Sequence, residues 1–161
     1  MFNKNKVIHN CFISSVVPKQ SQVFSQIVEE TLNLTPIFVD TTFKSNINIG
    51  LENPETLGND RFANNIGAQS LYPNKHLLVI DFGTAITYDY INENGILSFG
   101  LITLGIESTL KSLSQNTAQL PQIEALQKKG FYTGKNTKES IAAGLYYSKI
   151  GEVNHIINSL K

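Results

Sequence analysis

The run LLVIDFGTAITYD at 77–89 constrains the rest of the chain more than any other stretch. Leu77, Leu78, Val79 and Ile80 form a short apolar segment that reads as a buried strand delivering Asp81 to its end. Phe82-Gly83-Thr84-Ala85 then makes a tight polar turn, and 86–91 resumes as a second strand. A carboxylate leaving a strand just ahead of a Gly-Thr turn suits a place where phosphate, a metal ion or another charged ligand meets backbone amides. The same residues also describe an ordinary β-hairpin whose Asp81 hydrogen-bonds the turn. Both readings stand on this stretch alone.

The flanking pattern alternates strands with helices. Residues 7–17, VIHNCFISSVV, carry β-branched residues and no Gly or Pro, and read as a strand. Pro18 closes that strand and can open a helix. Val23, Phe24, Ile27, Val28 and Leu32 recur at three- and four-residue steps, one apolar face over 20–32. After Pro36, residues 37–39 make a short strand ending at Asp40, and 41–58 read as a long irregular loop. A second helix follows over 61–71, with Phe62, Ala63, Ile66, Ala68 and Leu71 on one face.

Pro73-Asn74 then turns the chain into the 77–80 strand. Asn94-Gly95 is a hairpin cue, and 96–103 returns as a strand. Gly105 precedes a helical face at Ile106, Leu110 and Leu113, and Pro121 opens a short helix. Residues 130–134 form a turn-rich break, and Thr137 starts a last helix that runs to Lys161. This compact order predicts an α/β layered fold with 77–80 as its central strand. The opening strand reads as internal to a sheet, with no preceding segment to pair with it in a hairpin.

Composition narrows function by exclusion. A chain of 161 residues holds one respectable core and little more. Thirteen basic residues balance thirteen acidic ones, which gives no reason to expect bulk attraction to nucleic acid or membrane. The aromatics Tyr88, Tyr90, Tyr146 and Tyr147 do not interleave with basic residues, so base stacking has little support. Cys11 is the only cysteine, which excludes a disulfide scaffold within the chain and fits a reducing compartment. No run approaches the roughly 18 apolar residues of a membrane span. The opening MFNKNKVIHN has charge but no apolar core or cleavage pattern, so no signal peptide is read there.

Three groups of residues can carry chemistry. In Gly58-Asn59-Asp60-Arg61, a carboxylate beside a guanidinium at a loop-to-helix junction can act as a base while its neighbour holds an anion. Asp60 can equally be the N-cap of the following helix. Asp81 with Thr84 is the second group. Thr137 is the third, either capping its helix or lending its hydroxyl to a ligand. His9, His76 and His155 have no ligand spacing, and no nucleophile elbow, HExxH, CxxC or Walker A loop is present.

Taken together these segments resemble the type III pantothenate kinases. NPETLGNDRFANNIGA at 53–68 is similar to the family segment NPxxxGxDRxANxxAA, and VIDFGTAITYD at 79–89 to its IDxGTAxTxD. NTAQLP at 116–121, GKNT at 134–137 followed by AAG at 142–144, and SSVVP at 14–18 resemble further markers, in order over nearly the whole chain. The glycine-rich GGxIxPG corresponds to Phe99-Gly100-Leu101-Ile102-Thr103-Leu104-Gly105, with its first Gly and its Pro replaced. The DxGNT-like loop that cradles ATP phosphates in the family has no counterpart ahead of Val7, and no TGG-like turn follows Lys161.

The resemblance implies a ribonuclease-H-like fold of the acetate and sugar kinase, Hsc70 and actin superfamily, incomplete at its N-terminus. Residues 1–75 would be the remainder of a first such domain with a substrate loop, and 76–161 a second. It implies ATP-dependent phosphorylation of pantothenate at the entry to coenzyme A synthesis, by a cytoplasmic homodimer. Asp60 would accept the proton of the pantothenate hydroxyl, with Gly58, Asn59, Arg61 and Thr137 holding that substrate. Thr84 would contact ATP, which brings Mg2+, and Asp81 would bind a monovalent cation, potassium or ammonium. With no such phosphate loop ahead of Val7, the expectation is that this chain, as it stands, keeps elements of the pantothenate and cation sites but would be a poor or inactive kinase. The alternatives are a non-catalytic or regulatory relative that keeps the pantothenate side, and a structural subunit that completes its fold with another chain.

Overall fold

The computed structural model describes residues 7–123 and 133–161. Its elements run β1 (Phe12–Ile13), α1 (Pro18–Leu32), β2 (Ile37–Phe38), β3 (Asn48–Ile49), α2 (Asn59–Leu71), β4 (Leu77–Phe82), β5 (Ala85–Ile91), β6 (Ile96–Leu104), α3 (Ile106–Asn116) and α4 (Thr137–Ser159), with a 3-10 turn at Pro54–Thr56. The protein is therefore mixed α/β. β1 and β2 form a two-stranded parallel sheet, and four strands form a second sheet in the order β3-β6-β5-β4. Pro121 to Ile123 are not helical. The rest of the helix expected after Pro121, and most of the break expected at 130–134, lie outside the described residues.

Two compact units emerge, Met1–Val79 with Tyr88–Leu101, and Ile80–Thr87 with Ile102–Lys161. In the first unit the strand expected over 7–17 shrinks to two paired residues. The cause is its partner. β2 is bounded by Pro36, which has no N–H, and by a turn in which Asp40 Oδ1 accepts from the Thr42 amide at 2.9 Å and the Thr42 hydroxyl at 2.6 Å. The pairing is limited to Phe12 with Ile37 and Ile13 with Phe38, flanked by Ile37 N–H to Cys11 O (2.8 Å) and Val39 N–H to Ile13 O (2.9 Å). The helix between them starts at Pro18, as its sequence predicts, and ends on Asn33 in the left-handed conformation at φ 51°. Its apolar face is real but uncovered within the described residues, for α1 buries no side chain.

The core of this unit is Val39, Ile47, Leu57, Phe62, Ile91 and Leu97. Part of it comes from a segment that reads as loop. Ile47, Ile49 and Leu51 alternate with polar residues, and β3 lies parallel to β6 with Asn48 opposite Ile96 and Ile49 opposite Leu97. The hairpin at Asn94-Gly95 forms as its sequence requires. Gly95 takes φ 72°, and Asn92 Oδ1 accepts from the amides of Asn94 and Ile96, both at 3.0 Å.

The expectation that 77–80 is the central strand is corrected. β4 ends the order β3-β6-β5-β4, and Leu77 to Ile80 are only half-buried. β4, β5 and β6 form a meander, so its first strand gains a neighbour from β5 alone, and no described strand pairs on its other side. β5 is the buried strand instead, with Ile86, Tyr88, Asp89 and Ile91 each at most 1% exposed.

In the second unit α3 buries Leu110, and α4 buries Ala143 and Leu145. Thr103 Oγ1 donates to Glu152 Oε1 at 2.7 Å, and Lys149 Nζ donates to Glu152 Oε2 at 2.9 Å, an ion pair that ties β6 to α4.

Candidate functional site

The first turn of α2 gathers four of the expected residues in the first unit. The helix begins at Asn59, two residues ahead of the start its periodicity predicts, with Gly58 as N-cap. Asp60 is thus inside the helix and is not its N-cap residue. Its Oδ1 accepts from the adjacent Arg61 amide at 2.8 Å, and the side chain is exposed. A negative charge in the first turn is favoured by the helix dipole. Gly58 leaves room for it, because a Cβ there would lie 2.6 Å from Asp60 Oδ1. Asn59 Nδ2 donates to Ser15 O at 2.8 Å and so fastens this turn to the segment after β1.

Arg61 is held from β5. Its Nε donates to Asp89 Oδ2 at 3.1 Å and its Nη2 to Asp89 Oδ1, a side-on bidentate pair. Asp89 is 1% exposed, and a charge that deep requires a partner. Gly100 on β6 lies directly against the pair, for a Cβ there would collide with Arg61 Nη2 and sit 2.7 Å from Asp89 Oδ1.

In the second unit, Asp81 and Thr84 flank the tight turn between β4 and β5, closed by Gly83 N–H to Ala85 O at 2.9 Å. The start of α3 is bolted onto this turn. Gly105 N–H (2.9 Å) and the Ser108 hydroxyl (2.7 Å) both donate to Thr84 O. A Cβ on Gly105 would meet Gly83 O and lie 2.6 Å from Thr84 O. Phe82, Gly83, Thr84, Ile106 and Glu107 line a cleft of about 390 Å³, within the size range of small-ligand pockets. No group of three His, Cys, Asp or Glu side chains converges among the described residues. A cation at Asp81 would therefore have fewer than three such side chains, which suits a hard, oxygen-bound ion better than a transition metal.

Thr137 stands at the first residue of α4 and is exposed. It is not the cap. Asn136 is, its Oδ1 accepting from the Glu139 amide at 3.0 Å while the Glu139 carboxylate accepts from the Lys135 amide at 2.9 Å.

Comparison with known proteins decides the family. The model of the type III pantothenate kinase family matches residues 1–159. The chain belongs to the type III pantothenate kinase family. Relatives carrying that name share 40% identity in Agathobacter rectalis, 37% in Bifidobacterium animalis subsp. lactis and 36% in a Sulfurihydrogenibium strain, each over 96% of this chain. The chain spans 58–60% of the length of those relatives. A solved structure from Campylobacter jejuni, described as a conserved protein of the Baf family of transcriptional activators, is similar in fold, with a TM-score of 0.57 at 20% identity. That likeness covers 92% of this chain and 64% of the other.

Sequence reasoning named Arg61 but missed what holds it. Asp89 ends the motif that marks the family, and an acidic residue within a strand so apolar was the available signal, since burial there demands a cation. Gly100 and Gly105 read in the sequence as part of a glycine-rich segment, with Gly105 ahead of a helix, and nothing there shows what each presses against. Ser108 carried no signal.

Proposed function

We propose that this chain carries the pantothenate-side and part of the nucleotide-side machinery for ATP-dependent phosphorylation of pantothenate to 4'-phosphopantothenate. The observation that carries the reading is the first turn of α2, where an exposed carboxylate stands beside an arginine held in place by a buried acid. Family membership supplies the substrates. Asp60 accepts the proton from the pantothenate hydroxyl as that oxygen bonds to the γ-phosphorus and the bond to the β-phosphate oxygen breaks, leaving ADP. Gly58, Asn59, Arg61 and Thr137 hold pantothenate, and Thr84 contacts ATP, accompanied by Mg2+. Asp81 holds potassium or ammonium, whose charge offsets that of the phosphates. The fold is ribonuclease-H-like, divided between 1–75 and 76–161, and the working form is a cytoplasmic homodimer.

The experiment measures pantothenate binding by NMR titration and ADP release in a coupled assay with ATP and potassium. Asp60→Asn preserves an acceptor for the Arg61 amide, so the fold stays intact while ADP release falls by about 10²–10⁴-fold, the usual contribution of a general base. Where the unaltered chain releases ADP at a measurable rate, release from Asp60→Asn within threefold of that rate would refute the role of Asp60. Absence of both pantothenate binding and ADP release from the unaltered chain would refute the function. A monomer mass in sedimentation at micromolar concentration would refute the homodimer.

A further inference from the structure

We propose that Asn94 is a latent modification site, deamidated through a succinimide to aspartate and isoaspartate when the turn at 92–96 opens, and held unreacted by that turn while it is closed. Asn94-Gly95 is the only Asn-Gly step in the chain. The chemistry is intramolecular. The Gly95 amide nitrogen attacks Asn94 Cγ and the bond from Cγ to the side-chain nitrogen breaks. That nitrogen leaves as ammonia, carrying the proton the Gly95 amide gives up. Water then opens the ring at either carbonyl. One opening leaves an aspartate at position 94, and the other leaves an isoaspartate, whose main chain is one methylene longer. Glycine favours the attack because no Cβ shields its nitrogen or restricts its φ. Asn94 is exposed, so departing ammonia and entering water have a path.

The closed turn opposes each step. Gly95 N–H donates to Asn92 O at 3.0 Å, so the attacking nitrogen is committed as a donor. Asn92 Oδ1 accepts from the Asn94 and Ile96 amides, both at 3.0 Å, which fixes the peptide on either side of the reacting pair. Asn48 N–H donates to Gly95 O at 2.9 Å, and a Cβ at 95 would lie 3.1 Å from Gln69 Nε2 and 3.2 Å from Asn46 O. Ring closure needs the peptide between 94 and 95 to rotate until its nitrogen meets Cγ, and that rotation breaks these bonds together. Reaction therefore proceeds from the opened turn, at a rate set by how often the turn opens. The isoaspartate product no longer fits. Its extra methylene displaces the Gly95 carbonyl that holds Asn48, and with it the pairing of Asn48 with Ile96 and Ile49 with Leu97 beside the core residues Ile47 and Leu97. Opening is reversible before the reaction and permanent after it.

The test ages the chain at neutral pH, folded and in concentrated guanidinium chloride, and follows position 94 by peptide mass spectrometry with isoaspartyl methyltransferase labelling. Conversion in the folded chain is at least about tenfold slower than in denaturant. Folded Asn92→Ala keeps the reacting pair but lacks the Oδ1 acceptor, and it converts about tenfold faster than the folded unaltered chain. Asn92→Asp retains an acceptor and stays slow. The purified isoaspartate form loses amide-exchange protection at Asn48, whereas Asn94→Asp keeps it. Equal conversion in the folded and denatured chain would overturn the protection by the turn, and no conversion at 94 in denaturant would overturn the site. A folded Asn92→Ala as slow as the unaltered chain would overturn the role of Asn92. If that variant does not fold, the unaltered chain below its unfolding midpoint carries the test: conversion rises in step with amide exchange at Gly95, and conversion independent of that exchange would overturn the inference. Unchanged protection of Asn48 in the isoaspartate form would overturn the loss of β3 pairing.

Discussion

Gly105→Ala is expected to cripple the turn that presents Thr84. The added Cβ would lie 2.6 Å from Thr84 O and closer still to Gly83 O, where ordinary contact begins at 3.4 Å. Both obstacles are backbone atoms, so no rotamer change relieves the clash, and either the turn or the start of α3 has to move by more than an ångström. Overpacking of this kind costs about 1–3 kcal/mol. The movement also strains two hydrogen bonds onto Thr84 O, from Gly105 N–H at 2.9 Å and from Ser108 Oγ at 2.7 Å, each worth about 1 kcal/mol. If both bonds are lost the sum is about 3–5 kcal/mol, which lowers Tm by about 6–20 °C in a chain of this size. Gly144→Ala is the control. Gly144 lies inside α4 with nothing within 4 Å of its added Cβ, so alanine should stabilise by up to about 1 kcal/mol through helix propensity. Urea unfolding of the two variants beside the unaltered chain decides the matter. A Gly105→Ala midpoint equal to or above that of the unaltered chain would refute the close approach of α3 to the turn.

Two further outcomes are expected. Asn136→Ala should lower stability by about 1 kcal/mol, the usual value of an N-cap, while Thr137→Ala changes it by less than about 0.5 kcal/mol; thermal melts showing the reverse order would return the cap to Thr137. The Thr42 hydroxyl and then the Thr42 amide hold the Asp40 carboxyl below its ordinary value of 3.8. The depressed folded value means that this contribution is fully present above the unfolded pKa and is lost as pH falls through the folded one. Thr42→Val should raise the Asp40 pKa in an NMR titration and reduce stability at pH 7 but not in strong acid; an unshifted titration would refute the assignment.

What was legible in the sequence was local. The helix of α1 followed from its apolar steps and Pro18, the hairpin from Asn94-Gly95, and the strand-turn-strand from 77–91, because each is decided by residues a few positions apart. What was not legible depends on a distant partner. The 7–17 strand had the right residues, but its paired length was set by Pro36 and the Asp40 turn, and β4 lost its central place to a meander whose order no single strand encodes. Thr137 and Asp60 were misplaced by one or two residues as possible caps, since a helix end is decided by which neighbouring backbone is free to start it. The carboxylate beside the guanidinium was plain in GNDR, whereas Asp89 lies 28 positions from Arg61 and meets it only across the fold.

The glycine-rich segment shows how the two levels meet. Compared with the family pattern GGxIxPG, residues 99–105 keep glycine at 100 and 105 and replace the first Gly and the Pro with Phe99 and Leu104. The Phe99 ring is accommodated against Tyr90, on which it stacks with centroids 5.0 Å apart. Leu104 is 57% exposed, so little there constrains it. At 100 the Arg61–Asp89 pair fills the volume a Cβ would take, and at 105 the carbonyls of Gly83 and Thr84 do. The two retained glycines are therefore the ones pressed against the elements to which roles in binding are assigned. Side chains are accommodated at 99 and 104, whereas at 100 and 105 a single added carbon atom would push against Arg61 or the backbone of Gly83 and Thr84.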